Sequence, residues 1–162
     1  MTYLTPKKVL TETGQILGIA SDHGGLELKQ EIINHLQDSG IKIEDLGCYQ
    51  DESVDYPDYA EKLTQKLVNN EISYGILVCG TGIGISISAN KVPGIRAALC
   101  HDCFSARMAR EHNDANIIAL GERIIGKGLA LEVVDTFLNS PFGGGRHERR
   151  VNKITKLEQK YS

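Results

Sequence analysis

The hydrophobic pattern of the chain alternates short apolar runs with segments of helical periodicity. Four runs are short and apolar enough to be buried strands, and a fifth run alternates apolar and polar residues, as a half-buried strand does: ILGIAS (16–21), YGILVC (74–79), IRAALC (95–100), NIIALG (116–121) and IKIEDL (41–46). Helical spacing of apolar residues predicts helices over about 25–38, 57–70, 103–112 and 126–139, with a charged helix from about 145. A further helix follows the loop at 80–84 and runs through Asn90. Strands that alternate with helices predict an α/β protein, a five-stranded parallel sheet with helices on both faces.

The two ends of the chain differ in character. Residues 1–14 are polar and contain Pro6 and Gly14, so we expect a loose leader there. Residues 15–162 then form a single domain that ends in the helix from about 145. A chain of 162 residues buries roughly 70% of its unfolded surface, enough for a core without disulfides or metals.

Composition and charge exclude several classes of protein. The net charge is −3, which gives no general positive field for nucleic acid. No apolar segment of signal-peptide type occurs in the first fifteen residues, and no run of eighteen apolar residues exists. We therefore expect a cytoplasmic protein that binds neither nucleic acid nor membranes, and whose cysteines are reduced thiols.

Candidate chemistry is expected where the parallel strands end, because ligands of open α/β sheets bind beyond the carboxyl ends of the strands. Cys79 ends a predicted strand, and the next five residues include Gly80, Gly82 and Gly84. Such a loop at a helix start presents amide groups to an anion and favours the thiolate form of a nearby cysteine. The alternative is a buried cysteine beside a structural turn.

Three familiar loop patterns are absent around Cys79. No lysine stands in a P-loop frame, GTGIGI lacks the last glycine of a dinucleotide fingerprint, and Ile85 occupies the place of the arginine in a Cys-x5-Arg phosphatase loop. The sequence therefore gives no support for a nucleotide-triphosphate, dinucleotide or phosphatase site here.

Other polar groups have both a functional and a structural interpretation. Asp22 and His23 follow the first strand, where they either reach a substrate or cap a helix. His112 lies at a helix end, and Arg146 and Arg150 are four residues apart, which suits a phosphate or a solvated basic surface. Cys100 and Cys103 form a CxxC that suggests thiol redox chemistry or half a zinc site, but there is no second CxxC.

Several of these segments together make the chain similar to a known family. It resembles the sugar-phosphate isomerases of the ribose-5-phosphate isomerase B type, a family that also contains galactose-6-phosphate and allose-6-phosphate isomerases. The segments that carry the resemblance are SDHGG (21–25), DYPDYA (55–60), CGTGIGISISANK (79–91), GIRAAL (94–99), SARMAREHNDANIIALGER (105–123) and GGRHERRV (144–151). They span nearly everything from Ile16 to Leu157, and only the leader lies outside.

The resemblance implies a Rossmann-like three-layer fold and a role for each matching residue. Cys79 matches the proton-abstracting cysteine and His112 the histidine that opens the sugar ring, reaching in from a partner subunit. Asp22 and Thr81 complete the expected catalytic set. The substrate-binding set comprises His23, Tyr56, Gly80, Gly82, Ile83, Gly84, Asn113, Arg123, Arg146 and Arg150. Arg146 and Arg150 match a phosphate clamp, with Asn113 and Arg123 expected from the neighbour.

The function expected on this basis is interconversion of ribose 5-phosphate and ribulose 5-phosphate through a cis-enediolate, a step of the pentose phosphate pathway. No cofactor and no metal are expected, and the resemblance implies a homodimer or a dimer of dimers with shared active sites. Three alternatives stay open: an isomerase of a six-carbon aldose phosphate, a phosphosugar-binding protein without turnover, and a thiol redox protein that uses Cys100 and Cys103.

Overall fold

The computed structural model describes residues 2–161, which form one parallel sheet between two layers of helices. The strands are β1 (Ile16–Ser21), β2 (Lys42–Asp45), β3 (Tyr74–Cys79), β4 (Ala97–Leu99) and β5 (Ile117–Gly121). The helices are α1 (Pro6–Thr13), α2 (Leu26–Leu36), α3 (Tyr56–Val68), α4 (Ile83–Ala89), α5 (Cys103–Asn113), α6 (Lys127–Asn139) and α7 (Arg146–Tyr161), with a 3₁₀ turn at His23–Gly25. The expected three-layer α/β/α fold with a five-stranded parallel sheet is confirmed.

The strand order in the sheet is β2-β1-β3-β5-β4, and all pairs are parallel. From β1 the chain moves first to β2 on one side and then to β3 on the other. The switch in direction lies between the carboxyl ends of β1 and β3, which is the place where such sheets bind ligands.

Each face of the sheet is covered by its own set of helices. Residues such as Ile19, Val78 and Leu120 pack with α2, α5 and α6 on one face, whereas Leu77 and Cys79 pack with α3 and α4 on the other. Successive residues of a strand point to opposite faces, so strands buried on both sides are apolar at nearly every position. This is why the runs at 74–79 and 116–121 were visible in the sequence.

The expectation of a loose leader is wrong for residues 6–13. They form helix α1, whose first turn is capped by Thr5, since its hydroxyl oxygen accepts from the Lys8 amide at 3.2 Å. Pro6 stands in the first turn and Gly14 ends the helix at a φ of +70°. Leu10 is fully buried in the core cluster. Pro6 and Leu10 are the buried residues of this short polar helix, and two positions give too weak a periodicity to be detected.

Candidate active site

The ends of three neighbouring strands place the first group of candidate residues together. Ser21 pairs with Val78, and Cys79 pairs with Gly121, so the residues that follow β1, β3 and β5 emerge side by side. The amide of Asp22 donates to the Val78 carbonyl at 3.2 Å, and the amide of Arg123 donates to the Gly80 carbonyl at 3.0 Å. The carboxyl edge of the sheet therefore holds these segments as one hydrogen-bonded unit.

The Cys79 thiol is buried at the start of the glycine loop, with 4% of the residue exposed. The Gly82 amide donates to its Sγ at 3.1 Å, and the Ile83 amide donates to the Thr81 hydroxyl at 3.3 Å. Gly82 has a φ of +76°, and a Cβ there would lie 2.5 Å from the Leu99 side chain. Only glycine fits this turn, and the turn directs the Gly82 amide at the sulfur.

Asp22 lies next to this loop and is 7% exposed. Within residues 2–161 its Oδ1 has no hydrogen-bond donor. Burial raises the pKa of Asp22 above its ordinary value, and the charge of His23, the Gly24 and Gly25 amides and the charge of Arg123 counteract that rise only in part. A buried carboxyl oxygen without a donor is costly, and a substrate hydroxyl would satisfy it.

His23 is oriented by the loop that precedes α3. Its Nδ1 accepts a hydrogen bond from the Val54 amide at 3.2 Å. In the neutral ring the proton is therefore on Nε2, which leaves a donor for a ligand.

Tyr56 and Arg123 border the glycine loop from two sides. The Tyr56 ring packs on Gly84, where an added Cβ would lie 2.6 Å from Cζ of the ring. The Arg123 guanidinium lies over Gly80, where an added Cβ would be 3.4 Å from Cζ of the arginine. We call Asp22, His23, Tyr56, residues 79–84 and Arg123 the carboxyl-edge cluster.

A second group of candidate residues lies at the other edge of the sheet. His112 is near the end of α5, and its ring stacks on that of His147 with centroids 4.1 Å apart and planes 7° from parallel. The Gly143 amide donates to the Glu111 carbonyl at 2.9 Å, which fixes the start of α7 beside the end of α5. Partial desolvation lowers the pKa of His147, and the charges of His112, Arg146 and Arg150 lower it further.

We call His112, Asn113, Arg146, His147 and Arg150 the amino-edge cluster. Helix α5 starts after β4 ends and finishes just before β5 begins, so its last residues lie at the amino ends of the strands. A six-residue strand such as β3 separates the two edges by about 17 Å. One chain therefore does not bring His112 to Cys79, and the two clusters are halves of different sites or of one shared site.

The expected division of residues between subunits is wrong for Arg123, and it is also wrong for Arg146 and Arg150, which were expected apart from His112. Arg123 lies over Gly80 of its own chain, and Arg146 and Arg150 are grouped with His112 rather than with Cys79. The reason is topological: β5 pairs directly with β3, so the residue that follows β5 emerges beside the Cys79 loop. His112 and Asn113 lie at the other edge of the sheet from Cys79, and their entry from a partner subunit stays a prediction.

The structure adds supporting residues that sequence reasoning missed. The Glu122 carboxylate accepts from the Leu28 amide at 2.8 Å, which ties the end of β5 to the first turn of α2. Lys29 is 1% exposed and donates to the Asp45 carboxylate at 2.6 Å and to the Cys48 carbonyl at 2.7 Å. A lysine between Leu28 and Ile32 on the buried face of α2 was the available signal. Glu122 gave none.

The CxxC lacks the properties of a redox site. Burial, with a further effect of Asp102, raises the pKa of Cys100 to about 12, so its thiolate is scarce near neutral pH.

In residues 2–161 no three His, Cys, Asp or Glu side chains converge in a way that would hold a metal ion. Over the same span, no helix is both long and apolar enough to cross a membrane.

Comparison with known proteins places this geometry in a family. The family model described as Ribose/Galactose Isomerase matches residues 17–154. Ribose-5-phosphate isomerase B of Escherichia coli is 44% identical over 144 residues, which cover 89% of this chain and 97% of that protein. The structure of ribose-5-phosphate isomerase B from Clostridium thermocellum superposes with a TM-score of 0.90 at 55% identity, covering 91% of this chain and all of the other.

The corresponding enzyme of Thermotoga maritima gives a TM-score of 0.85 at 56% identity, over 88% of this chain and 98% of that one. The match to the family model, over residues 17–154, includes the Cys79 loop and the start of α7. The chain belongs to the ribose/galactose isomerase family.

Proposed function

We propose that this protein is a cytoplasmic isomerase that interconverts ribose 5-phosphate and ribulose 5-phosphate in the pentose phosphate pathway. The observation that supports this most directly is the buried Cys79 thiol at the start of the glycine loop, which accepts a hydrogen bond from the Gly82 amide. Moving a proton between adjacent carbons requires one base and donors for an oxyanion, and this loop supplies both. The relatives described above carry the name ribose-5-phosphate isomerase B, which denotes this class of reaction.

The reaction proceeds by proton transfer between C2 and C1 of the open-chain sugar. The Cys79 thiolate removes the C2 proton of the aldose, and the electron pair moves toward the C1 carbonyl to give a cis-enediolate. Amides of the glycine loop and the Thr81 hydroxyl stabilise the charge on O1 and O2. The thiol then returns its proton to C1 while a proton passes from O2 to O1, so thiolate and ketose are formed without external electrons or atoms.

Ring opening and phosphate binding are assigned to the amino-edge cluster. His112 opens the furanose form, with Asp22 accepting a hydrogen bond from a sugar hydroxyl. Arg146 and Arg150 hold the phosphate, and binding energy from that group orients C1 and C2 at the sulfur. Arg123 and His23 add contacts from the carboxyl edge.

Both clusters act on one substrate only if two copies of the chain meet. In a two-fold dimer the carboxyl edge of one copy faces the amino edge of the other, and the arrangement creates two equal sites. Exposed apolar side chains near the carboxyl edge support such a contact: Ile83 and Ile87 on α4 are 51% and 55% exposed, and Phe104 on α5 is 64% exposed. We therefore propose a homodimer, or a dimer of dimers, with shared active sites.

A six-carbon aldose phosphate is the second candidate substrate, because the same groups would act on C1 and C2 of allose or galactose 6-phosphate. A phosphosugar-binding protein without turnover would need the amino-edge cluster but not a buried thiol that accepts an amide hydrogen bond at 3.1 Å. That contact favours an enzyme.

The test is isomerase activity on ribose 5-phosphate, allose 6-phosphate and galactose 6-phosphate, measured side by side with Cys79→Ala as the control. We expect the highest kcat/KM for ribose 5-phosphate, and the same rates in the presence of a chelator. A preference for a six-carbon substrate would make the protein an isomerase of allose or galactose 6-phosphate instead. Binding of all three without turnover by the wild-type protein would contradict an isomerase.

A further inference from the structure

Tyr3 contacts the segment that leads into α7. Its ring packs edge-on against Phe142, with centroids 5.0 Å apart and planes at 64°. Its hydroxyl donates to Glu148 at 3.2 Å. An added Cβ on Gly144 would lie 2.7 Å from Cε2 of the Tyr3 ring, so the ring covers this glycine closely. Tyr3 thus touches residues before, within and after the glycine turn.

The turn itself has little stiffness of its own. Residues 143–145 are consecutive glycines, and Gly144 and Gly145 have φ angles of +60° and +52°. Glycine loses more conformational freedom on ordering than any other residue. One side of the turn is held by the hydrogen bond from Gly143 to the Glu111 carbonyl, and Tyr3 holds the other side. Helix α7 starts directly afterwards, so its first residues move with the turn.

We infer that Tyr3 is a positioning residue that, through the 142–145 turn, sets the place of Arg146 and Arg150 for the phosphate group. The inference rests on the proposed function, which assigns phosphate to these two arginines. The family model begins at residue 17, so Tyr3 lies in a part of the chain outside the matched region. A guanidinium pair binds a phosphate well only when it is already in place, because ordering it on binding reduces affinity.

The test compares Tyr3→Ala and Tyr3→Phe with the wild-type protein. We expect Tyr3→Ala to raise KM for ribose 5-phosphate about five- to tenfold with kcat changed less than twofold, since it weakens binding of a group remote from the reacting carbons. The Kd of inorganic phosphate, measured by calorimetry, should rise by the same factor. Tyr3→Phe keeps the ring against Phe142 and Gly144 and should restore most of the affinity.

Leu10→Ala is the matched control, because Leu10 is fully buried on the neighbouring α1 but belongs to the core rather than to the turn. It should lower the melting temperature and leave KM and the phosphate Kd unchanged. The effects of Tyr3→Ala and Arg150→Ala on KM should also be non-additive. In an Arg150→Ala background, Tyr3→Ala should raise KM less than it does alone.

Unchanged KM and phosphate Kd in folded Tyr3→Ala would overturn the inference, and so would an equal rise in Leu10→Ala. If Tyr3→Ala does not fold, Gly144→Ala disturbs the same contact from the other side, and it should raise both constants. The calorimetric measurement needs no turnover, so a wild-type protein that binds phosphate but lacks isomerase activity would refute the proposed function and still test Tyr3.

Discussion

The Gly82 amide donates a hydrogen bond of 3.1 Å to Sγ of Cys79. The bond spans a turn whose left-handed glycine is enclosed by the Leu99 side chain and the Leu120 backbone, so the amide is held in its direction before any substrate binds. A donor that is fixed in this way needs no reorganisation when a substrate arrives. The loop therefore holds the Cys79 sulfur in one position at the end of β3.

Replacing Cys79 by Ala or Ser should lower kcat about a thousandfold, because the proposed reaction takes the carbon proton on the Cys79 sulfur. Folding should be preserved, since both side chains fit a site that holds a small residue. The measurements are turnover of ribose 5-phosphate and uptake of solvent deuterium into ribulose 5-phosphate, which is acyclic and needs no ring opening. Deuterium uptake at the wild-type rate in Cys79→Ala would show that another group moves the proton.

Asp22→Asn should separate activity from stability. The buried carboxylate has an oxygen without a donor within residues 2–161 and a raised pKa caused mainly by burial. Removing its charge should increase the free energy of unfolding at pH 7, because burial penalises the ionised carboxylate and not the neutral amide. It should lower kcat/KM, because the amide is a weaker acceptor for the sugar hydroxyl.

The pH dependence of that stability gain follows from the direction of the shift. A carboxyl with a raised pKa in the folded state destabilises the fold when it is ionised, and this cost disappears as pH falls below the ordinary aspartate pKa of about 4. The difference in unfolding free energy between Asp22→Asn and wild type should therefore be largest at neutral pH and shrink toward pH 4. A difference that grows on acidification would contradict the assigned direction.

The fold was predictable because every interior strand is buried on both faces and reads as an unbroken apolar run. The Cys79 loop was predictable for a related reason: a cysteine at a strand end, followed by glycines, leaves a local pattern. The grouping of Arg123 with Cys79 was not, because it depends on the pairing of β5 with β3, which are separated by β4 in the chain. The same holds for Glu122 and Leu28, which are 94 residues apart.

Cys103→Ser should leave isomerisation within about twofold of wild type. Burial raises the pKa of its neighbour Cys100 to about 12, so Cys100 does not supply the reactive thiolate that a redox site requires. The assay measures kcat/KM under reducing and mildly oxidising conditions. Cys79→Ser serves as the control variant that is expected to lose activity. A large loss in Cys103→Ser, or activity that tracks the redox state of this pair, would revive the redox interpretation.

The division of the site between two edges of the sheet predicts a pattern of complementation. Cys79→Ala lies in the carboxyl-edge cluster and His112→Ala in the amino-edge cluster, so a heterodimer of these variants has one site with both lesions and one with neither. Equal amounts that are unfolded together and refolded give roughly half heterodimers by random pairing, each with one intact site. Activity should return to about a quarter of the wild-type value.

A second pair of variants serves as the control for this experiment. Arg123 lies over Gly80 in the same cluster as Cys79, so mixing Cys79→Ala with Arg123→Ala leaves one lesion in each site of the heterodimer and should restore nothing. Mixing Cys79→Ala with Arg150→Ala should restore activity as His112→Ala does, because Arg150 belongs to the amino-edge cluster. Recovery with Arg123→Ala, or none with His112→Ala and Arg150→Ala in properly refolded mixtures, would mean that the two edges do not share a substrate.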